Sequence, residues 1–107
     1  MSYRLFIDDL RFPPAGEWVI VRCMKSAIDL IAEKGMPSFV SFDHDLGADP
    51  ETDIPFATGY DFAKWLCEVD MDHGTLPADF EFTVHSANPV GAANIEAYLR
   101  TYLSQRY

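Results

Sequence analysis

Ser38-Phe39-Val40-Ser41-Phe42-Asp43-His44-Asp45 sets how the rest of the chain is read. A short, mostly apolar run opens after Pro37 and stops abruptly on three polar groups, the form of a buried strand that ends at a functional edge. Two other stretches share that form. Tyr3 to Ile7 ends in Asp8-Asp9, and Phe80 to Val84 ends in His85-Ser86-Ala87-Asn88. Trp18 to Val21, continuously apolar between Glu17 and Arg22, reads as a further strand.

Helices are expected between these strands. Ser26 with Asp29 has the form of a helix start, Ala27, Leu30 and Ile31 recur at helical spacing, and Gly35 marks a stop. Thr58-Gly59-Tyr60-Asp61 repeats the start signal ahead of Phe62, Trp65, Leu66 and Val69, which share one face of a helix running to about Met71. Asn88-Pro89 supplies an N-cap and a first-turn proline for a C-terminal helix with the stripe Ile95, Tyr98, Leu99, Tyr102 and Leu103. Leu10 to Glu17, with Pro13-Pro14 and Gly16, reads as a loop, as does the acidic stretch after Asp45. This order predicts one α/β domain over residues 1–107: a small three-layer sandwich with a four-stranded, mostly parallel sheet and about three helices on its faces.

The composition agrees with a single folded core. Of 107 residues, 49% are hydrophobic, 14% aromatic and 23% charged, which excludes disorder as the main state. Seventeen Asp and Glu against eight Lys and Arg leave a formal charge of -9, so no extended nucleic-acid surface is expected. No apolar run approaches the ~20 residues of a bilayer crossing, and Met1 to Leu5 lacks the features of a signal peptide; a cytoplasmic protein is expected. Cys23 and Cys67 fit no metal-ligand spacing and read as reduced thiols among apolar neighbours. His73 reads as a solvated turn residue.

In open parallel sheets, ligands bind beyond the carboxyl ends of the strands, where this sequence concentrates its polar groups. Asp8, Asp9, Asp43 and Asp45 would meet there with His44 and His85. Two like charges at ~4 Å repel by about 4 kcal/mol at an effective dielectric near 20, so such a cluster calls for compensation, most simply by a cation. Carboxylates with a serine or asparagine oxygen suit Mg²⁺, Mn²⁺ or Ca²⁺, and a histidine ligand would shift the preference toward Mn²⁺, Fe²⁺ or Zn²⁺. Each Asp taken alone also reads as a turn or cap residue; Asn88 is already explained as a helix cap. Arg11 and Arg22 would either neutralise the acids or hold substrate. The amide-rich helix starts at Thr58-Gly59 and near Ser86 to Gly91 could receive phosphate.

Leu5-Phe6-Ile7-Asp8-Asp9-Leu10-Arg11, Ser41-Phe42-Asp43-His44-Asp45-Leu46-Gly47 and Val84-His85-Ser86-Ala87-Asn88-Pro89, in that order, resemble the motifs of the cyclic-phosphate-processing receiver-like domains, small proteins of phages and bacteria. The resemblance implies a receiver-like (flavodoxin-like) fold, a divalent metal, Mg²⁺ or Mn²⁺ first, and processing of cyclic phosphates such as nucleic-acid ends or cyclic nucleotides. It implies a phosphoesterase-type hydrolase, in the host cytoplasm if phage-encoded. Asp8, Asp9 and Asp43 would hold the metal. His85 would protonate the leaving oxygen, His44 or Asp45 would position water, and Ser86, Asn88, Arg11 and Arg22 would bind substrate. Against phosphorelay receivers, Asp43 matches the phosphate-accepting aspartate, while the proline-bearing loop stands where a first helix would be and the fifth strand with its lysine has no counterpart. Two alternatives stay open: a non-catalytic phage-type binding or inhibitor module using tyrosines such as Tyr98, Tyr102 and Tyr107, and an atypical phospho-accepting receiver.

Overall fold

A computed structural model describes residues 2–106. The four apolar runs form strands β1 (Arg4–Ile7), β2 (Val19–Val21), β3 (Phe39–Phe42) and β4 (Glu81–Val84). They make one wholly parallel sheet in the order β2-β1-β3-β4. Helices α1 (Met24–Lys34), α2 (Gly59–His73) and α3 (Pro89–Gln105) follow β2, β3 and β4. The α/β receiver-like fold expected from the sequence, with four strands and three helices, is present.

Register decides which side chains share a face. Leu5 aligns with Val19 and Val40, and Ile7 with Val21 and Phe42, so these residues project from the same face. They pack with Ala27 and Ile31 of α1, Phe62, Ala63, Leu66 and Cys67 of α2, and Ile95 and Leu99 of α3 in one buried cluster. All three helices therefore lie on one face. The steps β2 to β3 and β3 to β4 run in the same direction across the sheet, and right-handed crossovers place their helices on the same side. The step β1 to β2 runs backwards, so its connection falls on the opposite face. That connection is the loop with Pro13-Pro14, and no helix forms there. The third layer of the sandwich is this loop with Trp18, whose ring meets Phe6 and Phe39 edge-on at 5.8 Å each. Arg4 completes it: its guanidinium sits 4.4 Å from the Trp18 ring centroid, and its Nε donates to the Glu17 carbonyl.

Helix ends follow local chemistry, with one shift. Thr58 and Asp61 form a reciprocal capping box at α2, Gly74 closes that helix in the left-handed conformation (φ 63°), and the Asn88 side chain accepts from the Gly91 N–H at α3. α1 starts at Met24, earlier than the Ser26 signal, because Cys23 serves as N-cap; Ser26 instead bonds the Cys23 sulfur, and Asp29 pairs with Lys25. Both cysteines are free thiols, and burial pushes that of Cys67 up to about 12. His73 is exposed as expected, but it is the last residue of α2 rather than part of a turn, because the helix continues past Met71 to the left-handed Gly74.

Asp70 ties the far end of α2 to α3. Its carboxylate accepts from the Leu76 N–H (2.8 Å), the Tyr102 hydroxyl (2.6 Å) and the Arg106 guanidinium (3.1 Å), and Arg106 also donates to the Pro77 carbonyl. Burial alone would raise the Asp70 pKa; Tyr102, the Leu76 N–H and Arg106 outweigh it and hold the carboxyl below its ordinary value. No helix among the described residues is long and apolar enough to cross a membrane.

Candidate functional site

Asp8, Asp43 and His85 each come one residue after the last residue of a strand. Alternation turns their side chains away from the helical face and toward the loop-covered one. Asp9 follows Asp8 into the loop. One carboxylate oxygen from each of Asp8, Asp9 and Asp43 lies within 4.8 Å of the others. Asp8 is 1% exposed and Asp43 8%, while Asp9 is half-buried.

Asp8 is the most heavily bonded of the three. Its Oδ1 accepts from the N–H groups of Leu10 and Arg11, both at 2.8 Å, which folds the start of the loop around the carboxylate. Its Oδ2 meets His85 Nε2 at 2.9 Å. His85 is engaged on its other side as well: Nδ1 lies 2.7 Å from Ser41 Oγ, and the ring stacks on Phe6 at 4.4 Å and 9°. The proton-donor role expected of His85 therefore meets an imidazole held at both nitrogens and on one face. Asp43 accepts from the His44 N–H and from the Ser86 hydroxyl.

The two buried acids are pushed in opposite directions. For Asp8, burial raises the pKa, but the Arg11 and Leu10 N–H groups and His85 outweigh it and leave the carboxyl below its ordinary value. For Asp43, burial and then the charge of Asp8 raise the pKa, and Ser86, the His44 N–H and His85 compensate only in part. The cluster thus stabilises negative charge on Asp8 and disfavours it on Asp43.

The remaining expected residues divide into those at the cluster and those that build its frame. Ser86 touches Asp43. Asp45 is largely exposed and pairs with His44 Nδ1 at 2.8 Å, and Asn88, besides capping α3, extends its Nδ2 to within 3.4 Å of Asp45. No hydrogen bond occupies His44 Nε2 among the described residues. Neither Arg11 nor Arg22 forms an ion pair with the acids. Arg11 donates to the His85 carbonyl, and Arg22 to the Asp8 (3.1 Å) and Arg11 (2.6 Å) carbonyls, so both guanidinium groups tie backbone rather than neutralise carboxylates. The start of α2 is closed to phosphate by its own capping box and by the bond from the Gly59 N–H to the His44 carbonyl.

Two glycines explain how closely the helices approach the site. A Cβ at Gly59 would overlap the Asp43 carbonyl, and one at Gly91 would overlap the His44 ring. Gly59→Ala confronts backbone that cannot yield, and we expect a loss of about 1–3 kcal/mol in thermal or denaturant unfolding. Gly91→Ala confronts a side chain able to rotate and should cost less; the reverse order would contradict the packing described.

Asp8, Asp9, Asp43, Asp45 and Ser86, with Leu10 and Arg11, line a cleft of about 210 Å³. A larger hollow of about 560 Å³ beside Tyr3, Arg4 and Trp18 contains none of these acids or imidazoles. Across residues 3–101 the sequence matches the family model of the cyclic-phosphate processing receiver domain. Comparison with curated proteins and with solved structures gives no match.

Proposed function

The chain belongs to the cyclic-phosphate processing receiver domains, and from that premise we propose that it is a divalent-metal-dependent phosphoesterase acting on cyclic phosphates. The observation that carries this reading is the convergence of the Asp8, Asp9 and Asp43 carboxylates within 4.8 Å, two of them almost fully buried. Hard oxygen donors at that spacing suit Mg²⁺ or Mn²⁺. The raised pKa of Asp43 marks a charge that the protein alone leaves under-compensated. Such an ion, when bound, polarises a phosphoryl group and acidifies a coordinated water.

The chain's own residues supply the rest. Ser86, already donating to Asp43, is placed to donate to a phosphoryl oxygen beside it. His85, fixed between Ser41 and Asp8, positions Asp8. His44 packs against Gly91 outside the cleft and orients Asp45, and Asp45, which lines the cleft, positions the attacking water. Hydrolysis adds water across one ester bond: the water oxygen bonds to phosphorus, the ring P–O bond breaks, and the departing oxygen takes the proton.

The binding-module reading finds less support. Tyr98 is half-buried edge-on against Tyr60, Tyr102 donates to Asp70, and Tyr107 lies outside the described residues. To test the phosphoesterase reading, purified protein with Mg²⁺ or Mn²⁺ is incubated with a panel of 2′,3′- and 3′,5′-cyclic phosphates, and the acyclic monoester is expected. Turnover no greater than that of an Asp8→Asn/Asp43→Asn control would overturn the reading.

A further inference from the structure

Large apolar side chains left exposed are not scattered evenly over this molecule. Leu10, Phe12, Ile54, Phe56 and Val90 all belong to segments at the carboxyl ends of the strands; among the described residues only Ile20 and Met71 lie elsewhere. Leu10 lines the acidic cleft. Ile54 and Phe56 sit on the returning arm of a loop whose outgoing arm brings Gly47 beside Asp9, and the arms are joined by the Ala48–Pro55 bridge. Val90 is in the first turn of α3, next to the Gly91 that packs on His44. The anionic floor therefore has an apolar rim, which a bare cyclic phosphate would not use.

One member of that rim is built as a surface rather than merely left out. Phe12 is 76% exposed, yet its ring is backed by the Arg22 guanidinium at 5.0 Å. That guanidinium is itself fixed by the carbonyls of Asp8 and Arg11. The same strand end thus anchors both the Asp8 carboxylate and the support behind Phe12. Phe12 lies four residues beyond Asp8, so the two Cα atoms are at most about 14 Å apart, a span that a nucleoside bridges. An aromatic ring with a cation behind it and an open surface in front is a stacking platform for another planar ring.

Building on the phosphoesterase reading, we propose that Phe12, backed by Arg22, is the side chain that stacks on the base of a nucleoside cyclic phosphate and so sets the preference for such a substrate over a cyclic phosphate that carries no base. Phe12 is a specificity-determining residue, and the acids of the cleft act on the phosphate it helps to place.

The test compares kcat/KM for a nucleoside 2′,3′-cyclic phosphate with that for glycerol 1,2-cyclic phosphate in Mn²⁺. In Phe12→Ala the ratio should fall about tenfold, within the range of base stacking on an aromatic side chain, through KM rather than kcat, and Phe12→Trp should restore it. An unchanged ratio in Phe12→Ala would overturn the proposal. If neither substrate turns over, calorimetry with adenosine monophosphate and ribose 5-phosphate separates the two ideas. A preference for the adenosine compound that Phe12→Ala abolishes keeps the platform and removes only the phosphoesterase reading. Equal binding, no binding, or a preference that survives the substitution removes the platform.

Discussion

Asp43→Asn is expected to make the metal-free protein melt at a higher temperature while reducing turnover on the order of 10³-fold. The two effects share one cause. Asp43 lies in a buried site beside Asp8, and burial followed by the Asp8 charge raises its pKa. In the absence of a cation, the ionised carboxylate is thus a liability to the fold. Like charges at such separations repel by up to roughly 4 kcal/mol at an effective dielectric near 20, and the hydrogen bonds from Ser86 and His44 offset part of this. A net gain of about 1 kcal/mol from the neutral amide would raise the melting temperature by roughly 4–8 °C in a domain of this size.

The pH dependence fixes the sign. The penalty appears as pH rises through the raised pKa of Asp43, so the advantage of Asp43→Asn should be full near neutral pH and vanish below the usual carboxylate range. Asp8 behaves oppositely: its lowered pKa contributes stability present above its unfolded value, and that stability is lost as pH falls through the folded one. Added Mn²⁺ should reverse the order of the two proteins. At 100 times its dissociation constant a ligand stabilises by about 2.7 kcal/mol, a gain open to the wild type and largely closed to the variant. The fall in rate is a separate loss: a thousandfold corresponds to about 4 kcal/mol of transition-state stabilisation, which a cation held by Asp43 would supply. Calorimetric scans with EDTA and with Mn²⁺ check the prediction; a variant less stable than wild type in EDTA, or equally responsive to Mn²⁺, would contradict it.

Asp70→Ala should be the most destabilising single substitution considered, at about 3–5 kcal/mol, because it leaves the Arg106 guanidinium, the Tyr102 hydroxyl and the Leu76 N–H around a vacated buried position. Against a total stability of about 5–15 kcal/mol, this corresponds to a melting temperature lowered by roughly 15–30 °C. Asp70→Asn, which keeps an oxygen acceptor, should lose less. The lowered pKa of Asp70 means its contribution is present above the unfolded carboxylate range and lost as pH falls through the folded value. The wild type should therefore become more acid-sensitive than Asp70→Ala, whose stability lacks this component. Asp70 is near the end of α2 opposite the one that abuts Asp43, so kcat measured well below the melting transition should be retained. A melting temperature within a few degrees of wild type would show that the lock carries little.

The strands and helices are legible in the sequence because short apolar runs, a capping box at Thr58 and Asp61, and Asn88-Pro89 each encode a local decision. So is the meeting of Asp8, Asp9 and Asp43, since the first two follow the apolar run of β1 and the third follows that of its neighbour β3. What one-dimensional reading misses is set by contacts between distant residues. Nothing near His85 signals that Ser41, 44 positions away, will take its second nitrogen. Arg11 and Arg22 look like counter-ions because the acids are numerous, yet backbone carbonyls at the turning loop claim them first. Gly59 and Gly91 look like phosphate-binding helix starts, and their lack of a side chain instead admits the Asp43 carbonyl and the His44 ring. The missing third helical layer was partly visible in Pro13-Pro14; its one-sided consequence needed the strand order.

That one-sidedness separates two kinds of inheritance. The segment from Leu10 to Glu17 is exposed except for Pro13, while the apolar cluster that stabilises the molecule is assembled on the far side of the sheet. Replacements, insertions or deletions between Arg11 and Glu17 therefore disturb little of what keeps the chain above its unfolding threshold. Lineages could retune which molecule is recognised by drifting in this segment alone, leaving the acidic floor and its scaffold untouched.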